Sequence, residues 1–298
     1  ITEPTKLIPE GDVLSDYSGQ DISCFGGNDG SILAAVSGGT PPYEFSIDGV
    51  IFFTNPIFTN LAAGPHTITY RDDKGCDTTE IITLTDPPDL SGALTINQQV
   101  SCYEADDGVI EFIVNSINTG TPGYTYSIDD GFSWQGPSGV FSALPGGLTY
   151  EIIVEDVNGC QDTQSIPLAE PTELVFDTVS LNYNGFGVSC FGASDGQITI
   201  FGVLGGVPTY EYSIDGGATF TSQTIYSGLS AGTYIVQVKD ATDCMEEKIM
   251  IITEPGVFSI AAVVTSDYNG SDVSCYGLCD GEVTVTPNNG VGAITYTM

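Results

Sequence analysis

The 298 residues predict an all-β chain of tandem small sandwiches arranged as an extended rod, and three observations carry that prediction. One phrase is spoken three and a half times. Short runs of alternating apolar and polar residues are cut apart by Gly-rich turns. No stretch longer than ten residues holds a 3.6-residue period, so helix should be scarce. The phrase is clearest at Cys190-Phe-Gly-Ala-Ser-Asp195-Gly196, followed by a β-rich run, Gly205-Gly206, and Pro208-Thr-Tyr210-Glu-Tyr-Ser-Ile-Asp215-Gly216. It returns around Cys24 to Gly49 and Cys102 to Asp130, and begins again at Cys275. The leading cysteines lie 78, 88 and 85 residues apart, a period near 84 that marks repeated domains rather than one large enzyme.

The third repeat shows the elements best. Leu174–Leu181 alternates as a first strand, and Gly196–Val203 puts Ile198 and Ile200 on one face. Tyr210–Ile214 alternates in the same way, and Thr233–Lys239 and Lys248–Ile252 complete the strong strands. The stretch between Gly217 and Gly228 reads as either one bent strand or two. Ser194-Asp-Gly196, Gly205-Gly206, Asp215-Gly-Gly217 and Ala231-Gly232 supply the turns. Six or seven short strands at this spacing imply an immunoglobulin-like β-sandwich. Thr85-Asp-Pro87, Ala169-Glu-Pro171 and Thr253-Glu-Pro255 punctuate the repeats, and Ile1-Thr-Glu-Pro4 opens the chain with the same mark. The expected organisation is the end of a preceding repeat at 1–4, sandwiches at 5–87, 88–171 and 172–255, and a partial repeat at 256–298, with the natural chain running on at both ends. About 80 residues suffice for a small core. Strands of 6 to 8 residues with end loops give each unit roughly 35–45 Å, hence well over 100 Å for the rod.

Five Lys and Arg against 39 Asp and Glu give a formal charge of −34. Acidity on this scale repels nucleic-acid phosphates and anionic membrane surfaces, and it suits a soluble, self-repelling exterior. Apolar content of 41% with 15 Tyr and 14 Phe excludes disorder.

Cysteines recur in register as Cys24 and Cys76, Cys102 and Cys160, and Cys190 and Cys244, with Cys275 leading a fourth repeat and Cys279 an extra within it. No C-x-x-C spacing occurs and His66 is the single histidine, which argues against zinc. Paired cysteines in β-rich units point to disulfides and an oxidising, extracytoplasmic setting. The ambiguous stretch before Gly228 decides the wiring. One bent strand there places both cysteines of a repeat at the same pole, where they pair with each other. Two strands place them at opposite poles, so that Cys190 faces the second cysteine of the next repeat. One pair per repeat favours the first wiring, Cys24–Cys76, Cys102–Cys160 and Cys190–Cys244. Each such loop of 50-odd residues is worth roughly 4 kcal/mol in the chain-entropy model.

Cys-Phe-Gly-x-x-Asp-Gly, Gly-Gly-x-Pro-x-Tyr-x-Tyr-Ser, the run Leu229-Ser-Ala-Gly-Thr-Tyr234 and the closing Ile-Thr-Glu-Pro together resemble the SprB-type repeat, and the likeness extends through every unit. Such repeats occur in very large cell-surface adhesins of Bacteroidota, of which a gliding-motility adhesin is the type example. The resemblance implies export by the type IX system and display as cell-surface filaments moved by outer-membrane gliding machinery. Its implied partners are other repeats of the same chain and a substratum or surface polysaccharide. The second repeat departs from the pattern, with Tyr103-Glu104 for Phe-Gly and Asn97-Gln-Gln in place of the Tyr17, Tyr183 and Tyr268 turns.

Ser127-Ile-Asp129-Asp-Gly131-Phe-Ser133-Trp134 fits the Asp-box pattern and Ser213–Phe220 nearly does, but the box is a folding hairpin. The first repeat has lost it at Val50 and Phe52. His66 alone gives no catalytic triad, and neither G-x-S-x-G nor a P-loop is present, so no catalytic residues are expected. Asp29, Asp107, Asp195 and Asp280 each follow a leading cysteine by five residues, while Asp72, Asp156 and Asp240 each precede a second cysteine by four. Intra-repeat pairing would gather both groups at one pole as hard oxygen ligands for calcium, against the alternative that Asp-Gly is an ordinary turn. Tyr210, Tyr212 and Tyr234 alternate at strand spacing and fit packing better than a carbohydrate platform, and a lone Trp134 fits the cover of a core end. A surface adhesin is therefore expected, with an enzyme's stalk or a glycan-binding sandwich as the alternatives.

Overall fold

The computed structural model describes residues 3–115 and 119–297, so that Ile1 and Thr2 of the opening punctuation and Met298 fall outside the described residues. Those residues form strands, turns and bends with no helix. In the third repeat the strands run Val175–Ser180, Gly196–Leu204, Glu211–Ser213, Ile225–Leu229, Gly232–Lys239 and Met245–Ile252. The first, second and fourth form one antiparallel sheet and the third, fifth and sixth another. This is the strand order of an immunoglobulin-type sandwich reduced to six strands.

Alternation builds the core between the sheets. Ile198 and Ile200 of the second strand, Val236 and Val238 of the fifth, Phe176 of the first and Ile252 of the sixth are all buried in one cluster. The same places hold Ile110, Phe112, Ile152, Val154 and Leu168 in the second repeat, and Ile32, Ala34, Ile68, Tyr70 and Leu84 in the first. Where the first repeat puts a bulky Tyr70 it has the small Ala34, and where the second has Phe112 it has the smaller Val154. Such exchanges keep total volume while changing shape, which cores tolerate. Tyr70 keeps its hydroxyl satisfied by donating to Glu80 at 2.9 Å. Ile198 is fully buried, and Ile198→Ala should cost about 2–5 kcal/mol, read as a shift in denaturation midpoint at unchanged m-value.

Contacts divide the chain into two units, residues 1–100 with 105–169, and residues 101–104 with 170–298. The first unit contains two sandwich cores. The second contains one, together with the pair Ser259–Val264 and Val283–Asn288, whose first strand is exposed at every residue.

The ambiguous stretch resolves into two passes. After the third strand the chain turns back through a short arm, bridged at Tyr212 and Thr221, and only then enters Ile225–Leu229. Crossing between the poles twice puts Cys190, ahead of the second strand, at the opposite end from Cys244 in the turn between the fifth and sixth. An eight-residue strand spans roughly 26 Å, whereas bridged Cα atoms lie within about 7 Å of each other. The intra-repeat pairs Cys24–Cys76, Cys102–Cys160 and Cys190–Cys244 are therefore out of reach. The observed bridges are Cys24–Cys160 and Cys102–Cys244, with Cα–Cα distances of 5.5 and 5.6 Å.

Candidate functional site at the cysteine poles

Each bridge joins two recurring loops. The loop of the second cysteine is wound around a buried carboxylate. Asp240 is only 3% exposed, and its Oδ1 accepts from the backbone N–H of Thr242 at 2.8 Å and of Cys244 at 3.0 Å. Its Oδ2 accepts from the Val207 N–H at 2.7 Å, in the Gly-Gly turn opposite. Asp156 repeats this with Asn158, Cys160 and Thr121, and Asp72 with Lys74, Cys76 and Thr40. The Cys76 N–H and other backbone donors hold the Asp72 carboxyl below the usual range. For Asp240, burial pushes upward, but the donated hydrogen bonds outweigh it and the carboxyl is lowered.

The Gly-Gly turn is built to meet this carboxylate. Gly205 has φ 74°, and a Cβ there would stand 1.8 Å from the Glu173 carbonyl oxygen. Both the positive φ and the close backbone approach require glycine. Gly205→Ala should cost more than 1 kcal/mol and lower the melting temperature of the chain, whereas the same change at the open Gly232 should do far less. Tyr210 ties the turn down by donating its hydroxyl to the Gly205 carbonyl at 2.8 Å, as Tyr43 does to Gly38 and Tyr124 to Thr119.

The loop of the leading cysteine is equally regular. Asp29 and Asp195 accept the N–H groups of Ser23 and Ser189, each at 3.1 Å, and Asp280 accepts that of Ser274. Donation by Ser189 lowers the Asp195 carboxyl. Gln98 donates to the Asp107 carbonyl at 2.9 Å, doing in the second repeat what the Tyr17 hydroxyl does for the Asp29 carbonyl at 3.1 Å. Two residues past each leading cysteine, a backbone N–H donates to the acidic residue of the closing punctuation. Gly26 donates to Asp86, Glu104 to Glu170 and Gly192 to Glu254, at 3.1, 2.8 and 2.8 Å. The Asp/Glu-Pro mark in the sequence is thus a clasp, a role that its regular place after the last strand could have suggested.

The two groups of aspartates named as calcium candidates are not gathered at one pole of a repeat. Asp72, Asp156 and Asp240 spend their oxygens on backbone donors. Among the described residues no group of three or more His, Cys, Asp or Glu is placed to hold a metal. The Asp-Gly pairs are not free turns either. Gly196 opens the second strand at a bulge, where a Cβ would stand 2.8 Å from the Leu229 carbonyl of the fourth.

The Asp-box hairpins cap the third strand. Asp129 accepts from the Ser127 and Ser133 hydroxyls at 2.8 and 2.6 Å and from the Ser133 N–H at 2.9 Å; Asp215 does the same with Ser213 and Thr219. In the first repeat Asp48 still caps the hairpin, through Ser46, Val50 and Ile51. Hydrogen bonds from Ser133 bring the Asp129 carboxyl down to about 2, and those from Ser213 and Thr219 bring Asp215 down to about 2. A lowered folded-state value means these groups stabilise the fold fully above the unfolded carboxylate value near 4, and that contribution is lost as pH falls through about 2. Trp134 lies in the hairpin of Asp129, so its fluorescence should hold steady down to about pH 3 and change as pH falls through about 2. Asp129→Asn should remove that low-pH step. His66 makes only a local contact, its Nε2 2.8 Å from the Ala62 carbonyl.

The SprB repeat family model matches residues 17–50 and 188–219, each running from a leading-cysteine loop toward or into the following Asp hairpin. No curated protein matches the chain. Among solved structures, three N-terminal domains of the bacteriophage RB49 Highly Immunogenic Outer Capsid protein share 12% identity at a TM-score of 0.31, covering 83% of this chain and 95% of that one. The eight N-terminal Ig domains of the Down Syndrome Cell Adhesion Molecule share 10% at 0.32, over 87% of this chain and 38% of that one. The FN1-FN3 domains of chicken CNTN1 share 13% at 0.24, over 84% and 98%. At these scores the likenesses add nothing to the fold, which rests on the strand order of this chain.

Proposed function

We propose that this chain, carrying SprB repeats at 17–50 and 188–219, is part of a large extracellular repeat adhesin displayed on the cell surface for attachment and gliding motility. The observation that supports it most is the pair of bridges from the first repeat to the second and from the second to the third. A structure that ties neighbouring units covalently suits an array that transmits pull, and disulfides of this kind suit an oxidising exterior. The geometry around the recurring residues serves folding: carboxylates cap loops, tyrosines pin turns and acidic residues clasp strand ends. A repeat module with this division of labour is a structural or adhesive part and not an enzyme. In this reading the repeats meet at 87/88, 171/172 and 255/256, the partners are a substratum or surface polysaccharide, and anchoring is at the outer membrane. Antibodies against the folded chain should label unpermeabilised cells of the source organism, and their Fab fragments should reduce attachment to glass and the movement of cells over it. Labelling only after lysis would overturn the reading. Surface labelling with full attachment and movement under saturating Fab would remove adhesion from it.

A further inference from the structure

Cys76 and Cys190 are exposed and unbridged, yet each sits in a loop whose counterparts in the same chain are bridged. The pairing has one rule: the leading cysteine of a repeat bonds the second cysteine of the repeat that follows. Cys24 of the first repeat takes Cys160 of the second, and Cys102 of the second takes Cys244 of the third. Under that rule Cys190 lacks a following acceptor and Cys76 lacks a preceding donor.

We infer that Cys76 and Cys190 are open rungs of a disulfide ladder, each a docking and crosslinking site for a further repeat of this same kind. Their loops are already set for it. Asp72 fixes the Cys76 N–H at 2.9 Å, against 3.0 Å for Asp156 on Cys160 and 3.0 Å for Asp240 on Cys244. On the other side, Ala193 N–H closes on the Cys190 carbonyl at 3.1 Å, as Gly27 does on Cys24 at 2.8 Å, and Glu254 clasps Gly192 as Asp86 clasps Gly26. Hydrogen bonds that hold the loops of bridged cysteines hold these too, without a bridge to impose them. The occupant is fixed by that likeness: the leading-cysteine loop of a preceding repeat for Cys76, and the capped second-cysteine loop of a following repeat for Cys190.

Closure needs an oxidant, and a small-molecule disulfide such as oxidised glutathione supplies it. The Cys190 thiolate attacks one glutathione sulfur, the S–S bond breaks, and reduced glutathione leaves with the thiol proton. The Cys76 thiolate of the joining repeat then attacks the Cys190 sulfur of the mixed disulfide and releases the second glutathione. Two protein thiols are oxidised and one glutathione disulfide is reduced to two thiols.

A tandem chain tests this, with Pro255 of one copy running on into Thr5 of the next and the second copy ending at Met298. Ile1–Pro4 and Ile252–Pro255 carry the same four residues, so the joint is native in sequence. It sets Cys190 of the first copy and Cys76 of the second within a few residues of the 136-residue spacing of the Cys24–Cys160 bridge. After folding in a glutathione redox buffer, alkylation and non-reducing peptide mapping should yield one Cys190–Cys76 peptide for every two of each native bridge, because Cys76 of the first copy and Cys190 of the second stay open. Absence of that peptide, with Cys190 and Cys76 wholly alkylated beside intact Cys24–Cys160 and Cys102–Cys244 peptides, would overturn the inference, as would either cysteine bonded within its own repeat. A shorter chain, with residues 172–251 set ahead of Ile1, puts the same question to Cys76 alone and covers misfolding of the longer one. The surface labelling proposed above is a separate readout, so failure of the ladder and failure of the adhesin reading are told apart.

Discussion

Reduction of Cys24–Cys160 and Cys102–Cys244 should lower the melting temperature by on the order of 10 °C while leaving the far-UV β signal intact at room temperature. Each bridge closes a loop of 136 or 142 residues, which the chain-entropy model values at about 5 kcal/mol. For a unit of 150–250 residues each kcal/mol is worth about 2–4 °C. The sandwiches should survive because no bridge lies inside one: each core is closed by its own residues and its own two sheets. Calorimetry with and without reductant checks both halves of the statement. A reduced chain that has lost its β signal at 25 °C would show that the cores depend on the bridges.

Asp240→Ala should be the most damaging single change at the poles, at about 3–5 kcal/mol. Three backbone N–H groups, of Val207, Thr242 and Cys244, donate to this carboxylate, and the Thr242 hydroxyl adds a fourth bond at 2.9 Å. Removing the acceptor leaves buried donors unpaired, at roughly 1–3 kcal/mol each before water repairs some of them. Asp240→Asn keeps one acceptor oxygen and should cost less. The loop that presents Cys244 should also loosen, so the Cys102–Cys244 bridge should reduce at a lower dithiothreitol concentration than Cys24–Cys160 in the same molecule. Chemical denaturation and a reduction titration followed by peptide mapping give the two readings.

The strands and the core were legible in the sequence because both faces of a sandwich print their period directly. Ile198 and Ile200, placed on one face from spacing alone, are buried together. The wiring was legible only as a choice. The stretch from Gly217 to Gly228 has too little apolar alternation to announce a return arm, and the single bridge at Tyr212 and Thr221 decides which pole Cys190 occupies. Counting one cysteine pair per repeat pointed the wrong way, since a ladder between repeats also uses one pair per repeat. The aspartates were found by their fixed distance from cysteine, but a capping carboxylate and a metal ligand have the same letter. At Asp72, Asp156 and Asp240 the capping role comes from three backbone donors elsewhere in the chain, which cannot be read from the letter.

The staggered bridges also change what a protease can accomplish. Cys24–Cys160 and Cys102–Cys244 overlap, because residue 102 lies inside the first loop and residue 244 beyond it. Between Cys24 and Cys244 two covalent routes therefore run side by side. A single cut anywhere between those residues leaves both pieces attached, and separating the two ends takes three cuts, one in each of 24–102, 102–160 and 160–244. A nicked chain should migrate as one species without reductant and as two fragments with it. For a protein facing foreign hydrolases, that redundancy turns scission from a severing event into a tolerated wound.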